Sequence, residues 1–226
     1  MAEIKIEKQP NKNIYEANFG LIGESGSGKS VFVKILTSGK PLECNTIATI
    51  GIDRRKFFIT VNNDNFEIHF YDTPGGERYK SIVSQYFKRF DAVILFYEIH
   101  RPKEILDYLG KKVKEINDKL DEIGQKKKPP IFLIGTGSNL KEERTVQENE
   151  FKDFCKKNEI NFVGEINLET VKYEDLKTLV ERMISKLKKN ELNGYKEEEI
   201  EYKKWKRFIE KENKDKKCFC CTCIIS

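Results

Sequence analysis

No stretch of this 226-residue chain is apolar for long enough to cross a membrane as a helix. The opening residues, MAEIKIEKQP, do not read as a signal peptide, and Ala2 stands where N-terminal myristoylation requires glycine. Internal repeats are absent. So is a large excess of one charge: 42 lysines and arginines face 37 aspartates and glutamates, a net charge of +5. The expectation is a solvated surface of mixed charge, with no nucleic-acid partner. Nor do the cysteines form a secreted disulfide framework. Cys44 and Cys155 are isolated, and Cys218, Cys220, Cys221 and Cys223 crowd the C-terminal end, which points to a reducing compartment. What remains, 38% hydrophobic and 35% charged, is enough for one folded domain with extensions.

The chain is organised around GESGSGKS, Gly23 to Ser30, which fits G-x-x-x-x-G-K-[ST]. Gly23, Gly26 and Gly28 let the backbone of Glu24, Ser25, Gly26, Ser27 and Gly28 curl so that its N–H groups can face phosphate oxygens. Lys29 supplies a point charge for the β- and γ-phosphates, and the Ser30 hydroxyl can hold Mg²⁺. A strand ending in Phe19, Leu21 and Ile22 precedes the loop. A helical run, Val31 to Leu36, follows it and puts the phosphates at a helix N-terminus.

Strand and helix signals then alternate. Strands are expected at Ile14–Ile22, Arg55–Val61, Phe66–Tyr71, Ala92–Tyr97, Ile131–Ile134 and Asn161–Glu165, with a hairpin turn at Asn62–Asn65. Ile105, Leu109, Val113, Ile116 and Leu120 stripe a helix over Ile105–Ile123. Further helices are expected at Glu148–Lys157 and at Tyr173–Lys188, the latter striped by Leu176, Leu179, Val180 and Ile184. This order argues an α/β fold on a mostly parallel sheet.

A second motif joins the first. Asp72–Gly75 reads DTPG at the end of a strand, where an aspartate can hold Mg²⁺ and a glycine amide can meet the γ-phosphate. Thr49 is placed to close over the same ion. On these residues the chain resembles the Ras-superfamily small GTPases, Rab branch. TIGID (Thr49–Asp53) is similar to switch I, YDTPGGERY (Tyr71–Tyr79) to switch II, and GESGSGKS to the Rab phosphate loop with its serine, here Ser25. The resemblance covers roughly residues 14–188. It implies a phosphate-loop NTPase G domain with a doubly wound, mostly parallel six-stranded sheet and about five helices. It also implies Mg²⁺ with GTP or GDP, and switches that order around the γ-phosphate. Lys29, Thr49 and Gly75 are the catalytic candidates, and Ser30, Thr49 and Asp72 the metal ligands. Thr46–Asp53 and Tyr71–Tyr79 would meet an exchange factor, a GTPase-activating protein and effectors.

The departures from the family pattern are specific. Gly76 stands where the family glutamine orients the attacking water, so hydrolysis is expected to be slow, and Pro74 stiffens the segment before it. The guanine-reading N-K-x-D motif is replaced by Thr136, Gly137, Ser138 and Asn139. Asn139 offers guanine one acceptor where an aspartate offers two, and Gly137 removes the lysine stem that packs on the base. The third base motif falls on Asn167, Leu168 and Glu169, and the stacking aromatic is replaced by Leu42. Base specificity is therefore expected to be relaxed. Two functions stay open: a slow membrane-anchored switch in vesicle traffic, and a pseudo-GTPase serving as an interaction module.

The expected division is a loose N-terminus at 1–13, a G domain at 14–190 and a charged tail at 191–226. Tyr202, Trp205 and Ile209 fall at helical spacing within Tyr195–Asp215 and read either as a helix resting on the domain or as a partner- or membrane-facing stripe. CIIS, Cys223–Ser226, matches C-a-a-X, which makes Cys223 a prenylation site and brings in a prenyltransferase. Cys218, Cys220 and Cys221 are candidates for palmitoylation, since one lipid chain binds a membrane only marginally. A zinc site is the rival reading of these four cysteines. The expected location is the cytoplasmic face of an intracellular or plasma membrane, with a soluble pool.

Overall fold

The alternating runs close into one sheet with helices on both faces. The computed structural model describes residues 13–39, 49–101, 104–124, 128–137 and 144–196. In chain order the elements are β1 (Asn13–Gly23), α1 (Lys29–Ser38), β2 (Asp53–Val61), β3 (Asp64–Asp72), α2 (Lys80–Ser84), β4 (Ala92–Glu98), α3 (Ile105–Glu122), β5 (Ile131–Thr136), α4 (Glu148–Lys157), β6 (Asn161–Ile166), α5 (Tyr173–Ile184) and β7 (Asn193–Lys196). The path β2-β3-β1-β4-β5-β6 is parallel except for the β2–β3 hairpin. That hairpin turns on Asn62 and Asn63, both with positive φ, a conformation asparagine tolerates.

Two apolar layers flank the sheet. Phe19, Leu21, Phe57, Phe70 and Phe96 pack beneath α1 and α5, while Val93, Leu95 and Leu133 pack against the Ile105–Leu120 stripe of α3 and against Phe151 of α4. The strand order reverses at β1, which lies between β3 and β4, and such a switch point opens a crevice at the strands' C-terminal ends. The phosphate loop leaves β1 into that crevice.

The expected elements are present with small changes of extent. Helix α5 stops at Ile184 and not Lys188. Ser185 Oγ turns back to the Arg182 carbonyl at 2.7 Å, and the amides of Lys186 and Leu187 make tighter i→i−3 bonds. The short helix α2 carried no periodicity signal. A seventh strand joins the six expected: β7 pairs antiparallel with Asn13–Glu16 of β1, a stretch that β4, which starts its pairing at Phe19, leaves open. Residues 193–196, which the sequence assigns to the tail, pair with the sheet. Leu42, Cys44, Ser138, Asn139, Tyr202, Trp205, Ile209 and the four C-terminal cysteines lie outside the described residues.

Candidate functional site

Strand β1 ends at Gly23, and the next turn of chain wraps around one side chain. Lys29 is 5% exposed, and its Nζ donates to the carbonyls of Gly23 at 2.8 Å and Glu24 at 2.6 Å, with Ser27 Oγ at 3.4 Å. Burial pushes the Lys29 ammonium down to about 8, against the opposing pull of Asp72, Glu24 and Glu98. Gly28 begins α1 with φ +85°, and a Cβ there would stand 2.4 Å from Leu168 Cδ1, so the tight entry into the helix admits glycine alone.

The metal-ligand candidates converge from three elements. Ser30 Oγ, on the first turn of α1, is 3.0 Å from Thr49 Oγ1, and Thr49 Oγ1 donates to Asp72 Oδ2 at 3.4 Å. Asp72 ends β3 and is 4% exposed, and its other carboxylate oxygen, Oδ1, is buried without a hydrogen-bond partner. Burial raises the Asp72 pKa, opposed by the Ser30 hydroxyl and the Lys29 charge. Two hydroxyls and an orphaned carboxylate oxygen form the hard, all-oxygen donor set that suits Mg²⁺, which keeps water and phosphate as its remaining ligands. Among the described residues no group of three or more His, Cys, Asp or Glu is placed to hold a metal ion.

The DTPG segment lies on the loop. Thr73 Oγ1 donates to the Leu21 carbonyl, and a Cβ on Gly75 would fall 2.3 Å from the Ser25 nitrogen and 2.4 Å from the Glu24 carbonyl carbon. Gly75 is needed for this backbone-to-backbone approach. Gly76 is different: a Cβ there would find only Tyr79 at 3.6 Å and Arg78 at 3.8 Å, ordinary contact distances.

On the base side, Thr136 at the end of β5 is 4% exposed and donates to the carbonyls of Tyr97 at 3.1 Å and Ser27 at 3.3 Å, tying β5 to β4 and the phosphate loop. Gly137 follows with φ +78°, and the nearest atom to the start of any side chain is His100 Nδ1 at 3.6 Å. Asn167 accepts from the Glu169 amide at 3.0 Å, folding the turn that brings Leu168 against Gly28. Asn139 and Leu42, the other base-side candidates, lie outside the described residues, as do Cys218, Cys220, Cys221 and Cys223. Glu24, Ser25, Gly26, Ser27, Gly28, Lys29, Ser30, Thr49, Asp72, Gly75, Thr136 and Leu168 come together around the end of β1.

One supporting group carries no signal in the sequence. Glu98, at the end of β4, sends Oε1 to 3.3 Å from where a Cβ of Gly26 would stand. Arg101 Nε pairs with Glu98 Oε2 at 3.0 Å and reaches Glu24 Oε2 at 3.5 Å, while His100 Nε2 is 3.3 Å from Glu98 Oε2. The apolar run AVILFY marks the strand but says nothing of the charged residues that turn back under the loop.

Residues 19–188 match the family model described as Ras family. Among curated proteins, the chain is 29% identical over 154 residues to Ras-related protein YPTC6 of Chlamydomonas reinhardtii, covering 68% of each chain. It is 28% identical over 154 residues to Ras-related protein rab-11.1 of Caenorhabditis elegans, 68% of this chain and 70% of that one. Ras and EF-hand domain-containing protein homolog of Mus musculus is 31% identical over 122 residues, 54% of this chain but 18% of its own length.

Proposed function

The chain belongs to the Ras family and is Rab-like among its members, and from this premise we propose that it is a Mg²⁺-dependent guanine-nucleotide switch with slow intrinsic hydrolysis. The observation that carries this reading is the convergence of Ser30, Thr49 and the unpartnered Asp72 Oδ1 beside a buried Lys29. In this reading Lys29 and the loop amides bind the phosphates, and Ser30, Thr49 and Asp72 hold the ion. Mg²⁺, when bound, supplies neutralisation of phosphate charge. Gly75 places its amide at the γ-phosphate end of the loop. Thr136, Asn139, Asn167 and Leu168 form the base side, with weakened discrimination. Gly76 leaves the attacking water without a side chain to orient it, and this slows turnover.

The same Gly76, with Gly137, favours a second reading. The protein would then act as an interaction module that keeps one conformation whether or not nucleotide turns over. Both readings place partners at Thr46–Asp53 and Tyr71–Tyr79: exchange factor, GTPase-activating protein and effectors. Both also take the end of the 191–226 segment as a lipid anchor, with Cys223 prenylated and at least one of Cys218, Cys220 or Cys221 acylated, on the cytoplasmic face of a membrane in vesicle traffic. In the described residues no helix is long and apolar enough to cross a membrane. Mass analysis of co-purifying nucleotide, followed by Mg²⁺-dependent calorimetry with GTP and GDP, tests the switch. Absence of any Mg²⁺-dependent affinity for a nucleoside triphosphate sinks it and leaves the module.

A further inference from the structure

The ends of β4 and β5 stay tied beyond their last strand residues. The Ile99 amide donates to the Thr136 carbonyl at 3.0 Å, so the next residues, His100 and Gly137, stand side by side. The turn that carries His100 is itself held. The Arg101 amide donates to the Glu98 carbonyl at 3.3 Å, and Thr145 Oγ1 donates to the Arg101 carbonyl. Among the described residues, chain neighbours aside, His100 Nδ1 is the one atom within 4 Å of where a Cβ on Gly137 would stand, at 3.6 Å.

The His100 side chain is 33% exposed, yet its Nδ1 is buried and has no hydrogen-bond partner. Across the ring, Nε2 is 3.3 Å from Glu98 Oε2. A carboxylate carries only acceptors, so with one ring proton the imidazole holds it on Nε2 and keeps a lone pair on Nδ1. Buried polar atoms almost always have a partner, and an exception calls for an explanation. Three side-chain atoms among the described residues are such exceptions. Asp72 Oδ1 belongs to the metal-ligand cluster, and Arg101 Nε has a carboxylate oxygen at 3.0 Å. His100 Nδ1 is left, and it is an acceptor facing the space that Gly137 keeps clear.

On the nucleotide-binding reading above, we propose that His100 is a nucleoside-contacting residue: its Nδ1 accepts a hydrogen bond from the sugar or base of the bound nucleotide, in the space beside Gly137. The phosphate loop borders this space. Glu98, which stands behind the ring, lies 3.3 Å from the Cβ position of Gly26, and Thr136, which precedes Gly137, donates to the Ser27 carbonyl at 3.3 Å. A ring from the end of β4 thus stands where the family pattern has a lysine stem from the end of β5. It also adds an acceptor, which a lysine does not have. The base side is then not merely depleted: it recognises a nucleoside with a donor on this side.

The test is calorimetry on the full chain with Mg²⁺ and GDP, set against Mg²⁺ and inorganic pyrophosphate, which has no nucleoside. His100→Phe keeps a flat ring and removes the acceptor. It should weaken GDP binding about fivefold, the worth of one net hydrogen bond, and leave pyrophosphate binding unchanged. His100→Asn carries an acceptor oxygen on the same side-chain carbon that holds Nδ1, and should recover most of the loss. NMR gives a direct readout. The chain has 2 histidines, so the ring signals missing from His100→Phe are those of His100. The His100 Nδ1 resonance should move on adding GDP and stay in place on adding pyrophosphate. Equal GDP affinity in the parent and His100→Phe overturns this proposal alone, as does an equal loss for pyrophosphate or a fixed Nδ1 resonance. A parent with no Mg²⁺-dependent affinity for either ligand overturns the nucleotide-binding reading, and this proposal with it.

Discussion

The phosphate-side and base-side walls of the site meet at Gly28 but are built differently. On the phosphate side, Lys29 is enclosed by loop carbonyls, and Gly75 is pressed against the loop backbone closely enough to exclude any side chain. On the base side, Thr136 keeps its bonds to Ser27 and Tyr97, yet Gly137 carries nothing toward a base, and Leu168 spends its side chain on Gly28. Thr136 shows that two tasks are separable. Tying β5 to the phosphate loop needs one hydroxyl donor, while reading a base needs groups beyond it. Here Thr136 meets the first task, and in the proposed reading the second is thinned.

The sharpest way to break the comparison is to remove Lys29. Lys29→Ala takes the cation from the phosphates and leaves the Gly23 and Glu24 carbonyls without their donor. A buried charge-assisted contact of this kind is worth about 3 kcal/mol, so affinity for GTP should fall at least about 100-fold. Calorimetry measures it, with circular dichroism to check that the mutant is folded. Equal affinity in mutant and parent would mean that the loop does not bind phosphates.

Gly75→Ala probes the contact between DTPG and the loop. The added carbon meets backbone atoms at 2.3 and 2.4 Å, which cannot rotate away. The segment must shift, at a cost of up to about 3 kcal/mol, and Asp72 with it. The expected outcome is a lower melting temperature and a smaller gain in GTP affinity on adding Mg²⁺. Unchanged Mg²⁺ dependence would show that Asp72 is positioned independently of Gly75.

These two walls also differ in how much of each could be read beforehand. GESGSGKS and DTPG are contiguous motifs that can be read from spacing, and the structure brings Ser30, Thr49 and Asp72 within contact of one another beside the buried Lys29. The hairpin at Asn62 and Asn63 was legible for the same reason, since the turn chemistry is local. Contacts between distant segments are not legible in this way. Nothing in Glu98, His100 or Arg101 announces that they fold back beneath Glu24 and Gly26. In FEIHFY the alternation is right, but Glu67 and His69, which look like solvent-facing positions, are buried in ion pairs supplied by β1 and β2. Strand β7 was illegible because its cause is a gap beside β1, which only the paired sheet reveals.

Asn139→Asp tests the base wall itself. Guanine presents two adjacent donors, N1–H and the exocyclic amine. A carboxylate accepts from both, but an amide that accepts from N1–H turns its own NH₂ toward the amine. Xanthine presents N1–H beside a carbonyl, which matches the amide in one orientation. The affinity of the parent for XDP should therefore approach or exceed that for GDP, and the aspartate variant should regain guanine preference by about 1–3 kcal/mol. Competition among GDP, XDP and ADP on both proteins measures this. Strong GDP selectivity that the substitution leaves unaltered would show that Asn139 does not reach the base.

The smallest effect expected comes from Gly76→Gln, and it asks whether the phosphate wall lacks only one side chain. The space exists: a Cβ at Gly76 meets Tyr79 and Arg78 at 3.6 and 3.8 Å, where its neighbour Gly75 could hold none. Fitting is not aiming, however. Pro74 is buried beside Thr73, whose hydroxyl is bonded to Leu21, so the backbone leading into Gly76 is fixed from behind. Ahead of it, Arg78 stacks over Tyr79 at 4.9 Å, and these two are the side chains nearest to a Cβ at Gly76. A side chain here can reach a water only in the rotamers those two residues leave open. Orienting one water is a positioning effect, worth about tenfold for a single well-placed hydrogen bond. The single-turnover rate should therefore rise by less than about tenfold in Gly76→Gln, and further in Gly76→Gln combined with Arg78→Ala. A rate unchanged in both variants would place the defect elsewhere in the loop and favour the interaction module over the switch.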